Sequence, residues 1–217
     1  MNKRIKMNGF TLAEVLITLV ILGVIAAMTI PTLINKTQNQ EYVSRLIKIY
    51  STLSQGLNSI WNNNGVAPGD YEFLSNADFI DELSKVVAAQ QKCDTANACL
   101  GGSIGSKYKF LNNASTSGMT EGKTLITSDG QLFSYATGIS KFYGIPAEDQ
   151  PNVIGRLMVD VNGSKSPNKF GIDTYFFYLV RGKGIIPAGI ESNTSCARNK
   201  QGQDCAGKVL REKAINY

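Results

Sequence analysis

Residues 10–30, FTLAEVLITLVILGVIAAMTI, are almost wholly apolar. At about 1.5 Å per residue a helix over them is roughly 30 Å long, enough to span a membrane. Past Pro31 the chain turns polar. Val43, Leu46, Tyr50, Leu53, Leu57 and Ile60 then recur at alternating steps of three and four, the signature of one apolar helical face. The two patterns predict one continuous helix over residues 11–61, roughly 75 Å long, apolar all round in its first half and striped in its second. The stripe covers fewer than three heptads and has few flanking charges, so it reads as a face packed on its own domain rather than a coiled-coil seam. Asn62-Asn63-Asn64-Gly65 and then Pro68-Gly69 end the helix and open a linker.

A short second helix is predicted over 77–88. Ser75 and Asp78 resemble a capping box, and Phe79, Ile80, Leu83, Val86 and Val87 supply its apolar face. The period then changes to two. Residues 125–128 and 131–135, joined at Asp129-Gly130, predict a hairpin with a type I′ turn. Further strands are expected at 153–161 and 175–180, linked by a loop over 162–173. Gly101-Gly102 and residues 118–122 read as loops. The expected fold class is α+β: a long N-terminal helix whose outer half (31–61) packs on an antiparallel sheet of four strands, within one globular domain over 62–217.

Of the 217 residues 18% are charged, and the net charge is +5 with no histidine. That absence removes every Ser-His or Cys-His nucleophile and every imidazole metal ligand. Lys3, Arg4 and Lys6, in the first nine residues, account for three of the five excess positive charges. A basic flank before the apolar run puts the N-terminus in the cytoplasm and the rest of the chain outside. A cleaved secretory signal would have an uncharged apolar region of about 7–15 residues. Here the run is longer, and Glu14 sits inside it. A carboxylate in hydrocarbon costs about 2.5–3.5 kcal/mol, and nothing in the segment itself reads as its partner.

Gly9-Phe10-Thr11-Leu12-Ala13-Glu14-Val15-Leu16, behind a short basic leader, resembles the N-terminus of type IV prepilins and type II secretion pseudopilins. The resemblance covers residues 1–35 and fades beyond about residue 60. It implies a leader (1–9) removed by prepilin peptidase between Gly9 and Phe10, N-methylation of Phe10, and a membrane and assembly helix over 10–30. It also implies a Glu14 carboxylate that meets the Phe10 amine of a neighbouring subunit. Gly23 and Pro31 fall where such helices loosen or kink. The implied partners are identical or homologous subunits in a helical filament, the inner-membrane assembly machinery and membrane lipid. The implied role is structural rather than enzymatic, first in the cytoplasmic membrane and then in a filament in the periplasm or at the cell surface. The alternative is a single-pass anchor whose outer domain binds a ligand or DNA. An anchor has no use for Glu14.

Outside the cytoplasm, cysteines are expected to be oxidised. Cys93 with Cys99 and Cys196 with Cys205 each bracket a short polar loop whose ends meet at low entropic cost, which favours local pairing among the three possible connectivities. Their spacings match zinc sites poorly. Asp160, Asn162 and Asp173 lie around one turn and form a candidate calcium set. Major pseudopilins bind calcium in a C-terminal loop, but position twelve counted from Asp160 is Gly171, so this is no EF-hand, and Asn-Gly and Ser-Pro are ordinary turn residues. The turn is therefore read first as structural, and no other cofactor is expected. Residues 118–124 superficially resemble a phosphate loop, but a strand follows rather than a helix. Arg198, Lys200, Lys208, Arg211 and Lys213 give residues 196–217 a basic bias. Without interleaved aromatics this reads as a solvated polar loop, and nucleic acid is not an expected partner.

Overall fold

The computed structural model describes residues 11–67, 79–116, 119 and 122–217. The leader with Gly9 and Phe10, the Pro68-Gly69 linker, the Ser75 and Asp78 cap and most of the 118–122 loop lie outside the described residues. Helix α1 spans Leu12–Asn63, and the chain divides into two units after Gln38. In the first unit the α1 residues Leu12, Leu16, Ile17, Val20, Leu22, Met28 and Leu33 are all more than half exposed.

In the second unit the remainder of α1 has a different character. Val43, Leu46, Ile49, Leu53, Leu57 and Ile60 are buried, one stripe at helical spacing. Ile49 takes the central place expected of Tyr50. Tyr50 lies at the margin, stacked on Phe177 with ring centroids 5.9 Å apart. Helix α2 (Phe79–Val86) covers the same stretch of α1, burying Phe79, Ile80 and Leu83. It approaches α1 at Gly56, where a Cβ would meet Val86 Cγ2 at 3.5 Å.

The sheet has six strands, two more than the sequence indicated: β1 (Ala89–Cys93), β2 (Lys123–Thr127), β3 (Leu132–Ala136), β4 (Val153–Asp160), β5 (Thr174–Val180) and β6 (Gly184–Pro187). Each pairs antiparallel with its neighbours in chain order, so the sheet is a simple meander. Both additional strands are edges. β1 reads Ala-Gln-Gln-Lys-Cys and shows no apolar alternation, because edge position leaves most of it exposed. β6 has four residues and ends at Pro187, which a central strand would not tolerate. Two short helices, α3 (Ala96–Leu100) and α4 (Ile104–Lys107), occupy the excursion between β1 and β2, and α5 (Cys205–Glu212) follows β6.

The β2–β3 turn is not type I′, which needs positive φ at both central residues. Of the turn residues only Gly130 has positive φ (+77°). Gly130 N–H donates to the Thr127 carbonyl (2.9 Å) and Thr127 N–H to that of Gln131 (3.0 Å). Ser128, Asp129 and Gly130 therefore form a three-residue loop, a type I turn closed by a left-handed glycine.

β5 is buried along its whole length. Tyr175, Phe177 and Leu179 share a core with the α1 stripe, together with Leu157 and Val159 of β4. Phe176, Tyr178 and Val180 share a second core with Ile104, Tyr108, Ile145 and Met158. Helix covers one face and irregular chain the other, which is why Thr-Tyr-Phe-Phe-Tyr-Leu-Val shows no alternation. Past β6 the chain passes close to α5: Gly207 N–H donates to the Ala188 carbonyl at 2.8 Å. Gly189 has φ +80°, and a Cβ there would sit 1.8 Å from the Asp204 carbonyl oxygen, so only glycine fits.

The stripe on α1 makes a direct prediction. Leu46 is fully buried, whereas Ile47 is 38% exposed. Leu46→Ala should lower the unfolding free energy by about 2–5 kcal/mol and Ile47→Ala by well under about 1 kcal/mol, read by thermal or urea unfolding.

Candidate functional site

Three places hold the chemistry singled out by the sequence. The first is the opening turn of α1. Thr11 N–H and Thr11 Oγ1 both donate to Glu14 Oε2 at 2.8 Å, and Glu14 N–H donates to Thr11 Oγ1 at 3.2 Å. This is a reciprocal capping box. It corrects the expectation that Glu14 has no partner in its own segment: one helical turn upstream is a threonine that both donates and accepts. The local signal for it is Thr-x-x-Glu ahead of an apolar run. Capping satisfies orphan N-terminal groups and supplies the carboxylate with two donors, so Glu14 enters an apolar medium partly solvated by its own chain.

Further along, α1 continues through Pro31. A proline inside a helix donates no N–H to the carbonyl one turn back. Threonine hydroxyls bond neighbouring carbonyls on either side, Thr29 to Ile25 (2.9 Å) and Thr32 to Met28 (3.4 Å). A Cβ on Gly23 would meet nothing within 4 Å, so no packing inside the chain calls for glycine there. One 18-residue window of α1 has mean hydropathy 2.4, and none of it is buried.

The second place is the turn with Asp160, Asn162 and Asp173. Asp173 accepts from the N–H groups of Asn168 (2.8 Å) and Lys169 (2.7 Å) and from the Thr174 hydroxyl (3.3 Å). Asp160 accepts from the Tyr108 hydroxyl (2.9 Å) and Asn162 N–H (3.0 Å). The Asn162 amide donates to Tyr42 Oη and to the carbonyls of Lys165 and Ser166. The three candidates thus come together, joined by Tyr42 and Tyr108, which lie too far away in sequence for any local pattern to reveal. As a calcium cage the set fits poorly. Both carboxylates are occupied by N–H and O–H donors, and of the three side chains only Asn162 has an oxygen, Oδ1, buried without a donor. No cluster of three or more acid, cysteine or histidine side chains suited to a metal occurs among the described residues.

Both carboxylates are fully buried. Burial pushes Asp173 up to about 6, against the pull of its N–H donors. It raises Asp160 well above the usual carboxylate range, and the charge of Asp173 adds to the shift. The folded state therefore holds these protons to higher pH than the unfolded chain does. The turn's contribution to stability is full below about pH 4 and is lost as the pH rises through about 6, on the order of 2 kcal/mol. Unfolding free energies measured in chelator between pH 4 and 7 should fall with that slope, and Asp160→Asn should flatten it.

The third place is the C-terminal region. The chain joins Cys93 to Cys99 and Cys196 to Cys205, with Cα separations of 5.7 and 5.0 Å. Beside the second bond, Asp204 accepts from Ser195 N–H (2.8 Å) and from its hydroxyl. The expected polar loop over 196–217 is corrected, because α5 occupies its middle and buries Ala206 and Val209. Lys208 lies over the Tyr217 ring at 5.3 Å. The Gly-Lys-Thr at 122–124 leads into β2 and not into a helix, so no phosphate cradle forms.

A long helix, apolar and exposed in its first half and headed by a capped glutamate, is thus followed by a meander sheet. Residues 4–30 match the family described as "Prokaryotic N-terminal methylation motif". The chain is also similar to the type II secretion system core protein G of Aeromonas hydrophila, 33% identical over 84 residues that cover 31% of this chain and 58% of that relative. The match thus spans little more than half the relative's length. No solved structure matches the chain. The methylation motif and this similarity both point to the type IV pilin and type II pseudopilin family.

Proposed function

We propose that the protein is a structural subunit, whether pilin, minor pilin or pseudopilin, of a type IV pilus or type II secretion filament. The supporting observation is Glu14 in the first turn of an exposed apolar helix that carries the methylation motif. In this reading prepilin peptidase cuts between Gly9 and Phe10, and the new Phe10 amine is methylated. The chain waits in the cytoplasmic membrane with its sheet domain outside, and the assembly machinery then moves it into a filament of like subunits.

The physical logic is an exchange of partners. In the monomer Glu14 is held by Thr11; in the filament the Phe10 ammonium of the adjacent subunit takes its place. A buried charge and a buried chain end each carry a desolvation cost, and pairing them between molecules relieves both at one fixed axial offset. Packing of the apolar helices supplies the bulk of the cohesion. Catalysis plays no part. Calcium plays none either: the 160–173 turn is held by its own hydrogen bonds, and millimolar calcium should leave the melting temperature unchanged within about 1 °C.

Mass spectrometry of protein from membranes should find a mature chain starting at a methylated Phe10. An intact Met1, or a cut near Ala27, would contradict this reading. Glu14→Gln preserves shape and removes charge. The variant should insert, be processed and fold normally, yet enter filaments at least about tenfold less efficiently when it is the sole copy. Incorporation equal to wild type would make the membrane anchor with a binding domain the better reading.

A further inference from the structure

We infer that the end of the second unit at which α1 enters it docks, through Lys107, Lys109, Lys165, Lys169 and Lys200, on the anionic headgroups of the membrane that α1 crosses. The inference rests on the membrane anchoring proposed above and not on processing or assembly. Segments far apart in the chain bring these lysines together. Lys109 N–H donates to the Asn168 carbonyl and Phe170 N–H to the Lys109 carbonyl, both at 3.0 Å, which lays Lys107 and Lys109 beside Lys169. Leu111 N–H donates to the Gln201 carbonyl at 3.0 Å, which adds Lys200. The Lys165 carbonyl accepts from the Asn162 amide at 3.1 Å, and the same amide reaches Tyr42 Oη on α1.

Lys107, Lys109, Lys165 and Lys200 are exposed and have no acidic partner among the described residues. Lys169 is half-buried, its ammonium donating to Asn113 Oδ1 at 2.7 Å. The acids at this end of the unit are matched or covered. Glu41 pairs with Arg45 at 2.8 Å and Asp129 with Lys48 at 3.1 Å, while Asp160, Asp173 and Asp204 are buried. Glu212 lies between Arg211 and Lys213, and the main-chain oxygen of Tyr217 accepts from Arg198 Nε at 2.9 Å, so neither adds to nor offsets the lysine excess.

The place of the patch selects the partner. Asn39, the first residue of the second unit, lines one cavity with Lys169. Lys183 marks the opposite end, where it shares a groove with Leu57 and Trp61 near the close of α1, and the seven residues of β5 set the two ends about 20 Å apart. Asn39 follows Ile30, the last residue of the apolar run, by nine positions, a reach of about 30 Å even when fully extended. A lysine surface tethered this closely is held at high effective concentration against the headgroups, and each lysine within a Debye length of an anionic surface strengthens association about fivefold. Nucleic acid offers phosphates too, but its bases would find no stacking platform: Tyr108 is buried and Phe110 packs on Phe170 with ring centroids 5.8 Å apart.

The test places the full chain in nanodiscs of phosphatidylcholine, with or without phosphatidylglycerol, and follows acylation of each lysine by mass spectrometry. Lys107, Lys109, Lys165 and Lys200 should react at least about threefold more slowly in the anionic nanodiscs, and salt at about 0.5 M should restore their rates. Lys183 should react equally in both. With Lys107→Gln, Lys109→Gln and Lys165→Gln combined, all at exposed positions, the melting temperature should be unchanged and Lys200 should react equally in both nanodiscs. The proposal is overturned if the patch lysines react alike in the two compositions, if Lys183 is slowed as much as they are, if salt restores nothing, or if a DNA oligonucleotide added to the neutral nanodiscs protects the same lysines as strongly. A chain that enters neither nanodisc would overturn the anchoring reading, and this inference with it.

Discussion

Among the described residues nothing in the first unit covers the apolar surface of α1. Leu12, Leu16, Val20, Met28 and Leu33 are exposed around the whole circumference of the helix, so it is stable only where hydrocarbon or other helices of its kind surround it. The other features of that segment answer this demand. The Thr11–Glu14 box closes the N-terminal donors inside the chain, and threonine hydroxyls bond carbonyls around the proline, because an apolar medium offers no water to do either.

The same helix changes character after Gln38. One stripe is buried, the opposite side is polar, and the apolar partner is now supplied by the chain's own sheet. β4 and β5 are the centre of that arrangement, since they contribute to both cores. The periphery is held by local devices: a disulfide at each end of the domain's irregular chain, and a glycine contact that seats α5 beside the segment following β6.

What was legible in the sequence follows from how local each feature is. The apolar run, the stripe from Val43 to Ile60 and the hairpin around Asp129-Gly130 are set by neighbouring residues, and the sequence pattern located all three. β1 and β6 left no pattern because edge strands are short and half-solvated, and their identity comes from the strands they join. The hairpin's turn type was missed for a subtler reason: Asp-Gly fits a two-residue loop and also the end of a three-residue one, and the pairing of Thr127 with Gln131 makes the choice. At Asp160 and Asp173 the acids were visible as a cluster. Their environment was not, because Tyr42 and Tyr108 arrive from distant parts of the chain.

The order of the meander also governs how the domain forms. Because every strand pairs only with its neighbours in the chain, the sheet can grow by successive addition, closing its short β2–β3 and β5–β6 loops at least entropic cost and the long β1–β2 excursion at most. The α1 stripe is the exception. It is made first but finds its central-strand partners only about a hundred residues later, at Leu157, Phe177 and Leu179. Until β4 and β5 have been delivered its cover is incomplete, with Phe79, Ile80 and Leu83 of α2 the nearest apolar partners in the chain, and docking it on the central strands is the long-range event of folding.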